Sequence, residues 1–209
     1  MATIDLPNNI LEALSTVLQQ LQQSLPEVKQ APDFSAIAFK WENGELKAIH
    51  QLKRIELNDL KGIERQKEKV LQNTEQFLNG LPANDVLLTG SRGTGKSSIV
   101  RALLTEYAEQ GLRLIEIERD DLSELPEIQK LIAERPEKFI VYCDDLAFNA
   151  EDENYRSLKS VLDGSLQSGS SNFIIYATSN RRHLLPEFMH ENTPVTLSLI
   201  HISEPTRPE

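Results

Sequence analysis

An α/β fold with a parallel sheet covered by helices on both faces is predicted by three features of this 209-residue sequence. Short apolar runs alternate with helical patterns along the middle of the chain. One run, Val86-Leu87-Leu88, feeds the segment T-G-S-R-G-T-G-K-S-S, which opens a helix. Another, Phe139-Ile140-Val141-Tyr142-Cys143, ends in Asp144-Asp145. In open parallel sheets ligands sit beyond the carboxyl ends of the strands, and both segments fall there.

Each element has its own signal. Residues 8–24 read as an amphipathic helix, with Ile10, Leu11, Leu14, Val17, Leu18 and Leu21 on one face. Pro26 and Pro32 end it. A hairpin follows: Ile37, Phe39 and Trp41 alternate with Ala38 and Lys40, Asn43-Gly44 signals the turn, and 46–49 return. Trp41 is expected in the core. Residues 1–54 thus read as a small α+β accessory region whose apolar helix face is open to a partner. Ile63, Val70, Leu71, Phe77 and Leu78 mark the next helix, closed by Gly80 and Pro82. After the strand at 86–88 come a helix at 96–109, a strand at 112–117, a helix at 122–135 and the strand at 139–143. A helix at 152–163, a Gly/Ser-rich loop at 164–171 and a strand at 173–177 complete the pattern. The uncharged strands 139–143 and 173–177 belong at the centre of the sheet.

Composition narrows the function classes. A net charge of -10 argues against a broad nucleic-acid or anionic-membrane surface. No run reaches the length of a membrane span, and Met1-Ala2-Thr3-Ile4-Asp5 lacks the basic start and apolar core of a signal peptide. Cys143 is the single cysteine, so no internal disulfide forms, and its place in an apolar strand marks it as a small buried hydrophobe. These features fit a reducing cytoplasm.

The Gly-rich segment has the chemistry of a phosphate-binding loop. Backbone N–H groups must approach phosphate oxygens closely, so Cβ atoms are in the way; Gly90, Gly93 and Gly95 remove them. Lys96 supplies a point charge for the β- and γ-phosphates, and the Ser97 hydroxyl a ligand for Mg²⁺. A helix starting at Lys96 aims its positive end at the same place. Ser91, Arg92, Thr94 and Ser98 complete the expected nucleotide-binding loop. Beyond it, Asp144 is expected to hold Mg²⁺ through water, and Asp145 to orient or deprotonate the attacking water. The last strand ends in A-T-S-N-R-R-H. There Asn180 is the candidate for a hydrogen bond to the γ-phosphate or the water, with Thr178 as the alternative. Arg181 and Arg182 are placed for phosphate, a neighbouring subunit or solvent, and His183 reads as structural.

Taken in order, G-S-R-G-T-G-K-S, F-I-V-Y-C-D-D and I-I-Y-A-T-S-N resemble the motifs of AAA+ ATPases. More narrowly, G-I-E-R-Q-K-E, N-T-E-Q-F-L-N-G-L-P-A-N-D-V-L-L-T-G and A-T-S-N-R-R-H-L-L-P-E resemble the bacterial domain-of-unknown-function family 815. The resemblance implies a P-loop NTPase with an AAA+-type αβα sandwich, binding ATP and Mg²⁺. It implies that Gly62 and Ile63 lie near the adenine, Lys96 and Ser97 at the phosphates, Asp144 at Mg²⁺, and Asn180 at a sensor position. It also implies sites shared between copies in a homo-oligomer. Most AAA+ proteins carry Asp-Glu where this chain has Asp144-Asp145; the shorter side chain predicts a weaker hold on water and slow hydrolysis.

Residues 197–208, L-S-L-I-H-I-S-E-P-T-R-P, resemble a translated transposase sequencing adapter. On that reading 55–196 are a C-terminally truncated nucleotide-binding core and 197–209 a foreign tail. The fifth strand, an arginine finger and a helical lid would be missing, and one sheet edge unpaired.

The expected function is ATP binding with Mg-dependent hydrolysis, acting on an unidentified macromolecular partner. An ATP-binding switch with little turnover and a small-molecule kinase are the alternatives. The chain has no N-K-x-D guanine-reading motif, which counts against GTP.

Overall fold

The computed structural model describes residue 10 and residues 14–17, 31–147, 172–180 and 197–201. Two compact units divide the chain, Met1–Ala31 and Pro32–Glu209. In the first, Ile10 and 14–17 are helical, with Ile10, Leu14 and Val17 exposed. The rest of the helix expected at 8–24 lies outside the described residues, as do the helix at 152–163 and the loop at 164–171.

Among the described residues the second unit holds a seven-stranded sheet. Its strands are β1 (Ala38–Glu42), β2 (Glu45–Ala48), β3 (Asp85–Thr89), β4 (Leu112–Ile117), β5 (Lys138–Cys143), β6 (Phe173–Ser179) and β7 (Leu197–His201). They lie in the order β2-β1-β4-β5-β6-β3-β7. Among the described residues β1 and β2 pair antiparallel and the other strand pairs are parallel. Its α-helices among the described residues are α1 (Glu64–Leu78), α2 (Lys96–Tyr107) and α3 (Leu125–Ile132). No helix among the described residues is long and apolar enough to cross a membrane.

Alternation along the strands makes two cores, one on each face. Phe139, Val141 and Cys143 of β5 and Phe173, Ile175 and Ala177 of β6 pack with Leu125, Ile128 and Ile132 of α3. Ile140 and Tyr142 of β5, Ile174 and Tyr176 of β6 and Val86 and Leu88 of β3 face the other way. There they meet Val70 and Phe77 of α1 and Ile99, Val100 and Leu103 of α2. This is the layered arrangement that strands buried on both faces require. Cys143 is buried, and burial pushes its thiol up to about 12.

Three expectations are corrected. The hairpin does turn at Asn43-Gly44, both at positive φ (55° and 71°), but it is not a separate accessory layer ending at residue 54. β1 pairs in parallel with β4, Ala38 opposite Leu114 and Lys40 opposite Glu116, so the hairpin extends the main sheet. Its burial explains why: Ala38 enters one core while Phe39 and Trp41 enter the other. The Trp41 indole N–H donates to Glu124 at 2.6 Å, fixing β1 to the segment before α3. Next, the helix expected at 122–135 is shorter. Residues Arg119–Glu124 wind as a 3₁₀ helix and α3 begins only at Leu125. Pro126 has no amide to give to an α-type bond, so it suits only a first helical turn. Finally, the edge of β3 is not bare. β7 lies along it, Asp85 opposite Leu197 through Thr89 opposite His201. Residues 197–201 are uncharged, and β3 presents ladder groups that β6 cannot reach; an extended uncharged run satisfies them.

Candidate functional site

The sheet order sets the geometry of the site. β6 lies between β5 and β3, so the Gly-rich loop after β3 and the acidic pair after β5 are one strand apart. The end of β6 reaches up between them. Residues from Ser91, Lys96, Ser97, Asp144, Asp145, Thr178 and Asn180 form one hydrogen-bonded cluster there.

The loop turns on its glycines. Gly95 has φ 89° and caps α2 in the left-handed region, and Gly93 has φ 84°. A Cβ at Gly95 would stand 3.4 Å from Cδ1 of Ile63, which is itself buried. Ile63 therefore packs against the start of α2, and the Gly62 amide donates to Glu64 at 3.0 Å. The Thr94 hydroxyl donates to the Ser91 carbonyl at 2.9 Å, while Ser91 and Arg92 are exposed and Ser98 is half-buried.

Lys96 is only 7% exposed, unusual for an ammonium group. Its three donors are met by the carbonyls of Gly90 and Ser91, each at 2.8 Å, and by Oδ1 of Asn180 at 2.9 Å. Burial pushes its pKa below the ordinary lysine value, and the charges of Asp144 and Asp145 pull it part of the way back.

Asp144 continues the β5 alternation onto the α2 side. The Ser97 hydroxyl donates to its Oδ1 at 2.9 Å, the Asp145 amide does so at 3.2 Å, and the Thr178 hydroxyl donates to the same oxygen. Burial works to raise its pKa. The hydroxyls of Thr178, Tyr142 and Ser97 and the Asp145 amide outweigh it and hold the carboxyl below its ordinary value. Asp145 has φ 52°, a left-handed conformation that Asp tolerates better than most residues. Its amide also donates to the Thr178 hydroxyl at 2.9 Å, and its carboxylate accepts from the Asn180 amide at 2.7 Å.

The cluster offers a fixed cation, a charged carboxylate beside a hydroxyl, and a second carboxylate held by an amide. Ser97 and Asp144 are hard oxygen donors, suited to Mg²⁺, which keeps most of its water and takes one or two protein ligands alongside phosphates. Among the described residues no group of three or more His, Cys, Asp or Glu side chains gathers to hold a metal by itself. The residues therefore fit a metal that arrives with a phosphate chain better than a resident one.

The structure brings together Lys96, Ser97, Asp144, Asp145 and Asn180, as the spacing of the motifs predicts. Thr178 is not an alternative to Asn180 but a second member of the cluster, bonded to both acidic residues. Sequence reading also passes over Tyr142, although it sits two residues before Asp144 and so shares its face of the strand. Arg181, Arg182 and His183 lie outside the described residues.

Residues 34–207 match a family described as protein of unknown function, DUF815. No curated protein matches the chain. Among solved structures it is similar to AMPPCP-bound DnaA from Aquifex aeolicus, with a TM-score of 0.51 and 17% sequence identity. That likeness covers 74% of this chain and 51% of the other, so the chain spans about half the length of its structural neighbour. At that identity the likeness concerns the fold, which is of the P-loop NTPase type.

Proposed function

The chain belongs to the DUF815 family, and we propose that it binds ATP with Mg²⁺ at the loop and hydrolyses it to act on a macromolecular partner. The observation that supports this best is the continuous network from Ser97 through Asp144, Thr178 and Asp145 to Asn180 and Lys96. It joins a cation, a hydroxyl and carboxylate suited to a metal, and a second carboxylate held by an amide, all groups that phosphoryl transfer to water uses. That the structural neighbour is AMPPCP-bound adds weight to an adenine nucleotide.

In this reading Lys96 leaves the Gly90 and Ser91 carbonyls for the β- and γ-phosphate oxygens, neutralising their charge. Loop amides from Gly90 to Ser98 and the start of α2 grip the same oxygens. Ser97 and Asp144 would hold Mg²⁺, which would supply charge neutralisation at the phosphates. Asp145 orients the attacking water and takes its proton, while Asn180 contacts the γ-phosphate and keeps Asp145 in place. Gly62 and Ile63 border the adenine. Self-assembly of copies belongs to the same reading; mass measured by light scattering with and without ATP checks it.

Lys96→Ala should remove most ATP affinity measured by calorimetry. Unchanged binding in that variant would defeat the assignment. A second reading, an ATP-bound switch with little turnover, is favoured by one observation: the Asp145 carboxylate is already engaged by Asn180. A nucleotide-binding chain with no phosphate release under any partner condition would decide for it.

A further inference from the structure

Tyr142 is fully buried on β5, and its hydroxyl has no hydrogen-bond partner among the described residues. Buried hydroxyls are nearly always paired, because an unpaired one has given up water for nothing. The surroundings are not apolar: the hydroxyl faces Ser97, Asp144 and Thr178, the polar groups at the metal end of the cluster. Meanwhile Ser97, Thr178 and the Asp145 amide all converge on Oδ1 of Asp144.

We propose that Tyr142 is a positioning residue for the metal half of this site, donating its hydroxyl to the Asp144 carboxylate when Mg²⁺ and nucleotide are bound. The inference rests on the ATP-binding reading. In the metal-free chain Oδ1 is crowded with donors, and the Tyr142 hydroxyl, though near enough to help hold the Asp144 carboxyl low, completes no hydrogen bond to it. Binding draws Ser97 and Asp144 toward the metal and shifts the carboxylate, and Tyr142 is an uncommitted donor beneath it. Groups that orient a metal ligand in this way commonly set metal affinity by tenfold or more.

The test is Tyr142→Phe in the full chain, with a fluorescent non-hydrolysable ATP analogue as probe and Mg²⁺ as titrant. The variant should need about tenfold more Mg²⁺ to reach half-maximal binding. Its affinity for the analogue in EDTA should be unchanged, and the metal-free chain should melt no lower than wild type, since no hydrogen bond is lost there. Placed on Asp144→Asn, the same substitution should add nothing. An unchanged Mg²⁺ midpoint in Tyr142→Phe would overturn the proposal, and so would an equal loss of binding in EDTA. Should the phenylalanine variant melt lower, Tyr142 is structural and the proposal is likewise overturned. A wild-type chain whose analogue binding ignores Mg²⁺ would overturn the underlying site reading first, and Tyr142's role with it.

Discussion

The Lys96 ammonium donates to Oδ1 of Asn180 at 2.9 Å, although 84 residues separate the two in the chain. The amide of the same Asn180 donates to Asp145 at 2.7 Å. One side chain thus links the Lys96 cation to the Asp145 carboxylate. Asn180→Ala should lower ATP turnover by about a hundredfold, the loss typical of one preorganised donor. Calorimetric ATP affinity should change by no more than about threefold. If binding and turnover fall equally, Asn180 is only a ligand contact.

Asp144 and Asp145 differ in their partners, so their asparagine variants should differ too. Asp145→Asn should keep ATP binding and slow turnover by about 10²–10⁴-fold, the range for losing a general base. Asp144→Asn should weaken the Mg²⁺ dependence of binding itself, because the bond from Ser97 and the carboxylate charge are both affected. Normal hydrolysis by Asp145→Asn would place the base elsewhere.

Asp85, at the start of β3, should make the fold pH-sensitive. Burial pushes its pKa up to about 6, and the Ile175 amide, donating at 2.7 Å, only partly opposes that. A carboxyl whose folded pKa is raised binds its proton more tightly folded than unfolded. Stability from this group is therefore lost as pH rises from about 4 through 6 and regained as it falls. The shift corresponds to about 3 kcal/mol at full effect, and partial exposure brings it to about 1–2. Asp85→Asn keeps the acceptor without the charge and should raise chemical stability at pH 7.5 by that amount, with little gain at pH 4. Equal gains at both values would rule out the charge as the cause.

Tyr142 and Tyr176 are paired neighbours on β5 and β6, on the same face of the sheet. Tyr176 is the opposite case. Its hydroxyl accepts from Asn73 at 3.0 Å and lies 2.8 Å from the Thr74 hydroxyl, tying the sheet to α1. Tyr176→Phe removes both of these buried hydrogen bonds, while Asn73 still donates to the Asn84 carbonyl and Thr74 to the Val70 carbonyl, and should destabilise the chain by about 1–3 kcal/mol in urea unfolding. The contrast with Tyr142→Phe separates a structural tyrosine from one held in reserve.

Deleting residues 197–209 would uncover the ladder groups of β3. An exposed edge beside the loop strand invites pairing between chains. The deleted chain should elute as aggregates in size-exclusion chromatography, whereas His201→Lys, a charge at the end of β7, should not have that effect.

The gathering of Lys96, Ser97 and the acidic pair is legible in the sequence because each position follows from local order: strand, then loop or acid. The spacing also predicts β4 at its observed bounds, Leu112–Ile117, since the strand is bracketed by Gly111 and a charged turn. The place of the hairpin is not legible. Phe39 and Trp41 alternate in the same way whether β1 closes a separate layer or pairs with β4, and the partner is chosen by contacts more than 70 residues away. The engagement of Asp145 by Asn180 is hidden for a related reason: it depends on a left-handed backbone at Asp145, which residue type permits but does not announce.

The position of β3 bears on how the chain comes to be folded at all. Both of its sheet neighbours, β6 and β7, are made after it: Leu87 waits for Ala177 on one side and Leu199 on the other. During synthesis the hairpin, β4 and β5 can zip together as they emerge, each onto a strand already made. The strand carrying the loop stays unhoused until residues 173–201 are out. Long-range pairings of this kind are slow to close and leave apolar surface open meanwhile. Limited proteolysis of ribosome-stalled chains should therefore find β4 and β5 protected while the 85–96 segment is still cut, so the site is the last part of the sheet to acquire its shape.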